Sequence, residues 1–153
     1  MGTKDREIIY DVKKEKGLAI GKLEEIMGKW QAKLLLNGWN LTLKSVEFHR
    51  KDGFRQSGDI KVKPKKSEAV LLLTNKPFKD EEEVIVHELL HLLFWDYDTF
   101  AESVILKNCQ KFRGDHLKYM DKLEETVKNL TDIFIQNKKR GQTSSVHARH
   151  TVR

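Results

Sequence analysis

Two histidines and a glutamate lie close together in the segment His87-Glu88-Leu89-Leu90-His91, an HExxH pattern inside an apolar run. On a helix, positions i and i+4 share one face. Two neutral imidazoles there can hold one metal ion, with a third ligand from elsewhere and one position open to water. A zinc ion lowers the pKa of that water, and Glu88 takes its proton as the water attacks a carbonyl. The glutamate between the histidines sits beside the water and outside the coordination shell. The bland reading is two partly buried histidines with no ligand. The context weighs against it, because two imidazoles and a carboxylate on an otherwise apolar helix need compensation. His87 and His91 are therefore expected to ligate zinc, with Glu88 as the catalytic base.

Four downstream residues are candidates for the third ligand: Glu102, His116, Glu124 and Glu125. A histidine six positions after His91 would mark a metzincin, but Tyr97 stands there. Helical phase separates the two adjacent glutamates. At about 100° per residue, Glu124 lies about 80–90° from the centre of the stripe through Leu123, Val127 and Phe134, and Glu125 lies nearly opposite. Glu102 reaches a metal only if the chain turns back quickly, and His116 begins a helix. Tyr97, His116 and Tyr119 are open as oxyanion stabilisers.

These residues need a scaffold. Residues 17–36 carry Leu23, Ile26, Met27, Trp30 and Leu34 at helical spacing, and Asn37-Gly38 is a stop signal. Residues 39–48 alternate as a half-buried strand with a possible bulge, and Lys51-Asp52-Gly53 is a turn. Ile60 and Val62 alternate with lysines up to Pro64. Residues 69–73 are a continuous apolar run. It reads equally as a core strand or as an edge strand that holds an extended peptide. The expected sheet has three antiparallel strands. Asp80 is an N-cap with Glu83 three residues on, and its helix should reach about Trp95. Further helices are expected over 100–112 and 115–136, the last with the stripe Met120, Leu123, Val127, Leu130 and Phe134. The fold class is α+β: one domain over 1–136, then a basic, flexible tail over 137–153.

Composition narrows the classes. Of 29 basic residues five lie beyond position 136, with none of the 23 acidic ones, so the net charge of +6 shrinks to +1 for the body. That pattern does not favour nucleic acid as a partner. Lys61, Lys63, Lys65 and Lys66 fit an exposed strand edge blocked against aggregation. The lone cysteine, Cys109, reads as a small buried hydrophobe, and its solitude suits a reducing compartment. The charged N-terminus is no secretory signal, and no apolar stretch could span a bilayer. A cytoplasmic location without membrane contact is expected. His49 reads as a surface residue, and His147 and His150 as part of the solvated tail.

The stretch EEEVIVHELLHLLFW, followed about thirty residues later by LEETVKNL, resembles the minimal gluzincin-type metallopeptidases, the minigluzincins and their prophage-encoded relatives. The likeness covers residues 39–136. It implies a zincin-like domain with a C-terminal backing helix and a peptide or protein substrate held on an edge strand. It also implies zinc ligated by His87, His91 and Glu124, with Glu88 as base. Many gluzincins carry an acidic residue four positions after the ligand glutamate; here that position is Lys128, which keeps Glu125 in play. His116-Leu117-Lys118-Tyr119 is similar to the short pattern of SprT-like, DNA-associated metalloproteases. A zinc-containing binding module without catalysis is the remaining alternative.

Overall fold

The computed structural model describes residues 5–107 and 113–147. Cys109 and His150 lie outside the described residues. In chain order the elements are β1 (Arg6–Ile9), α1 (Ile20–Lys33), β2 (Asn40–Arg50), β3 (Gly58–Lys63), β4 (Glu68–Thr74), α2 (Glu81–Leu93), α3 (Trp95–Lys107) and α4 (Arg113–His147). The class is α+β, as expected. The chain forms two units, residues 1–96 and 97–153.

In the first unit a four-stranded sheet has the order β1-β2-β4-β3. β3 and β4 are antiparallel, β2 and β4 parallel, and β1 pairs antiparallel with the far end of β2. The expectation of three antiparallel strands is thus corrected in two respects. The charged segment at Arg6–Ile9 is a strand, because residues 47–50 of the long β2 offer it an unpaired ladder. β4 lies between β2 and β3, so the parallel pair arises where a meander was expected. The apolar run explains the placement: Ala69, Leu71, Leu72 and Leu73 are all buried, as suits a strand covered on both sides. Residues 69–74 are therefore central, and β3, with its lysines, is the edge.

α1 and α2 pack against each other, α1 also on β2, and α2 also on β3 and β4. The core of this layer includes Leu23, Met27 and Trp30 from α1, Leu43 and Leu71 from the sheet, and Ile85 and Leu89 from α2.

α1 stops before Asn37-Gly38. Leu36 N–H donates to Gln31 O (2.9 Å) and Leu35 N–H to Ala32 O (3.2 Å), a Schellman arrangement around Leu35 at φ 56°. A left-handed leucine is strained, and this one is 84% exposed. Leu35→Gly should therefore stabilise the protein by about 0.5–1 kcal/mol in urea unfolding, relief of strain outweighing the added freedom of the unfolded chain.

α3 begins at Trp95, at the end of the first unit, directly after the α2 C-cap Phe94 and ahead of the break expected at residues 96–98. α4 is longer than expected: its helix starts at Arg113 and continues through the supposed tail to His147. Residues 139–142 on that extension are helical and exposed. The buried row of α4 is Leu123, Val127, Thr131 and Ile135, whereas Met120 is 36% exposed. No helix among the described residues is long and apolar enough to cross a membrane.

Candidate functional site

α2 presents His87, Glu88 and His91. Its start is set by Asp80, whose carboxylate accepts hydrogen bonds from Glu82 N–H (2.9 Å) and Glu83 N–H (3.3 Å). The acidic first turn does more than complement the helix dipole. Glu81 is buried, pairs with Lys14 and accepts Leu18 N–H at 2.7 Å. Glu82 accepts the indole N–H of Trp30 on α1 at 2.7 Å. Two consecutive carboxylates thus tie the N-terminal end of the helix to a segment more than fifty residues earlier in sequence. These positioning residues were not apparent in the sequence, because an acidic first turn looks the same whether it is solvated or clamped.

The two imidazoles face each other. Nε2 of His87 and Nε2 of His91 are 3.3 Å apart, with ring centroids at 5.0 Å and planes at 67°. Two Zn–N bonds of about 2.0–2.1 Å at a tetrahedral angle place their nitrogens about 3.3–3.4 Å apart. The pair therefore has the span that a tetrahedral cation requires. The same distance also admits a hydrogen bond between the two rings, its direction set by their tautomers. Both histidines are half-buried, which leaves an approach for a ligand.

Glu88 is 9% exposed and lies toward β3. Gly58 makes that approach possible. A Cβ built there would stand 2.7 Å from Val84 Cγ1, 3.2 Å from Leu72 O and 3.3 Å from Glu88 Cγ. Gly58→Ala is expected to force α2 and β3 apart and lower stability by about 1–3 kcal/mol, read as a fall in the urea midpoint. An unchanged midpoint would show that the contact yields freely. Beside Gly58, Ser57, Leu73, Pro77, Phe78 and Val84 line a shallow dimple of about 10 Å³, with Arg55 stacked on Phe78 at 4.1 Å.

Glu124 and the rival candidates belong to the second unit. Glu124 and Glu125 are both exposed on α4. At about 100° per residue, Glu124 lies about 40° from the mean direction of Leu123, Val127, Thr131 and Ile135, and Glu125 about 140° from it. Glu125 accepts a hydrogen bond from Lys122 Nζ at 2.8 Å, and that neighbour holds its carboxyl below the usual range. Glu102 and His116 meet each other, with Oε1 to Nε2 at 3.3 Å. The Tyr119 hydroxyl donates to Asp98 at 2.8 Å, and burial together with that carboxylate pushes the phenol pKa up. Tyr97 is 65% exposed. His49 pairs with Glu47 at 2.9 Å on the surface of β2, as its surface reading expected.

No family model, curated protein or solved structure matches the chain.

Proposed function

We propose that this chain is a zinc-dependent peptidase with a zincin-like domain, in which His87, His91 and Glu124 bind the metal and Glu88 is the general base. The observation that carries the reading is the 3.3 Å separation of the two Nε2 atoms, with a carboxylate at the intervening position of the same buried helix. Bound zinc would acidify a coordinated water and polarise the carbonyl to be attacked. Glu88 would receive the proton and deliver it to the leaving amine. Its burial beside Gly58 and Val84 limits the rotamers open to it.

Glu124 is proposed as third ligand on its helical phase and on the LEE pattern of the minigluzincin resemblance. Glu125 is occupied by Lys122, and Glu102 and His116 by each other. The pairing of His116 also weighs against the SprT-like alternative, which needs that imidazole for the metal. An extended peptide would lie along the edge strand β3, whose first residue adjoins Glu88.

Zinc content is the direct test. His87→Ala, His91→Ala and Glu124→Ala should each weaken zinc binding by more than the roughly 10–100-fold that loss of an outer-shell partner costs. Glu125→Ala should leave it unchanged. Competition with a chromogenic chelator gives the affinities. Parent-like zinc binding in either histidine variant ends the proposal, and parent-like binding in Glu124→Ala alone removes only the third-ligand assignment.

A further inference from the structure

The outer edge of β3 is unpaired among the described residues, and its chemistry is lopsided. Ser57 O accepts Thr74 N–H at 3.0 Å, so by alternation Gly58, Ile60 and Val62 turn their backbone groups outward. The first part of that edge is already occupied. Gly58 O accepts from the Gln56 side chain at 2.9 Å, and Ile60 N–H donates to Asp59 Oδ1 at 2.9 Å. Arg6 from β1 holds both caps, reaching Gln56 Oε1 at 3.2 Å and Asp59 Oδ2 at 2.9 Å. Lys61 joins Asp59 at 3.1 Å.

Beyond this network the edge is strongly cationic. Lys63 ends the strand, and Lys65 and Lys66 follow on the 3-10 turn Pro64–Lys66; all three are exposed and make no ion pair among the described residues. One lysine is enough to discourage edge-to-edge pairing. Glu68 of β4 stands directly opposite Lys63 without forming an ion pair with it, so one acid against three lysines leaves an excess of positive charge. Asp59, the one acid on the strand, is consumed by Arg6 and Lys61.

We infer that the β3 edge receives an acidic extended peptide, with carboxylates near Lys63, Lys65 and Lys66 and backbone pairing at Ile60 O and Val62. In a strand pairing, side chains alternate between faces. Those on the face of Gly58 point toward α2, and those on the face of Lys61 and Lys63 meet the cations. The preferred sequence therefore has acidic residues at alternate positions. This names the substrate class of the proposed peptidase, and it rests on that reading only for the hydrolysis step.

Binding to zinc-loaded Glu88→Gln protein tests it without hydrolysis. The probes are a labelled peptide of about eight residues with glutamate at alternate positions, and its glutamine counterpart. The acidic peptide should bind about tenfold more tightly at low salt, with the preference fading as salt screens the exposed charges. Lys63→Gln combined with Lys65→Glu and Lys66→Glu should abolish or reverse the preference; all three side chains are exposed, so folding should survive. Equal affinity for the two peptides, or a preference untouched by the triple variant, overturns the inference. A single-stranded oligonucleotide that displaces the acidic peptide at lower concentration also overturns it, in favour of a nucleic-acid surface. Aggregation of the triple variant together with equal affinities in the parent leaves these lysines as edge guards only. Zinc-dependent hydrolysis by the parent with no charge preference rejects the inference and spares the peptidase. Charge-selective binding without hydrolysis does the reverse.

Discussion

Glu88→Gln is expected to lower peptide hydrolysis by roughly two to four orders of magnitude in kcat while zinc affinity stays at the parent value. Glutamine has the shape of glutamate, so the contact beside Gly58 and Val84 is kept and α2 is not displaced. What is lost is the proton acceptor. The measurement is a quenched-fluorescent peptide library at saturating zinc, alongside chelator competition for metal content. Parent-like turnover in the variant would falsify the role given to Glu88. No turnover in either protein, with zinc bound tightly in both, favours a binding module that keeps the metal for structure.

The second large effect concerns folding. Glu81→Leu should cost about 3–5 kcal/mol, because it leaves the Lys14 ammonium buried without its partner and Leu18 N–H without an acceptor. The Lys14 and Glu81 side chains are 9% and 8% exposed, so water offers little relief. A loss of this size is a large share of the roughly 5–15 kcal/mol that holds an ordinary domain together. Replacing both partners, Lys14→Met with Glu81→Leu, should recover much of the loss, since two apolar groups need no charge compensation. Urea unfolding of the two variants beside the parent is the check. If Glu81→Leu stays within about 1 kcal/mol of the parent, the pair is solvated and does not clamp the helix. Glu81 is the first residue of the helix that carries both histidines, so its anchorage also bears on their position.

Much of the local structure was legible because the forces that set it act over one or two helical turns. The HExxH spacing brings two imidazoles together on any regular helix, so their proximity comes from the chain itself. Asp80 caps α2 as its side-chain chemistry suggests. The stripe of Leu23, Met27 and Trp30 buries α1 where periodicity placed it. Helical phase separates Glu124 from Glu125, and the longer buried row of α4 brings Glu124 nearer the centre of the buried side. Helix ends were less legible. The left-handed stop fell on Leu35 ahead of Asn37-Gly38, and the α4 helix ran on through residues assigned to a tail.

Sequence alone determined that His87 and His91 share one helical face, since backbone geometry within a helix is rigid. Only the tertiary structure decided which strand is the edge, and what pins the start of α2. Strand order depends on which ladder stays open after the others have paired, a choice made between segments far apart in the chain. The apolar run of β4 and the lysines of β3 carried the right signals, yet both strands alternate or bury in ways that fit either place. Lys14 and Glu81 are 67 residues apart, as HExxH spacing cannot reveal, and their encounter exists only once the core has closed around them.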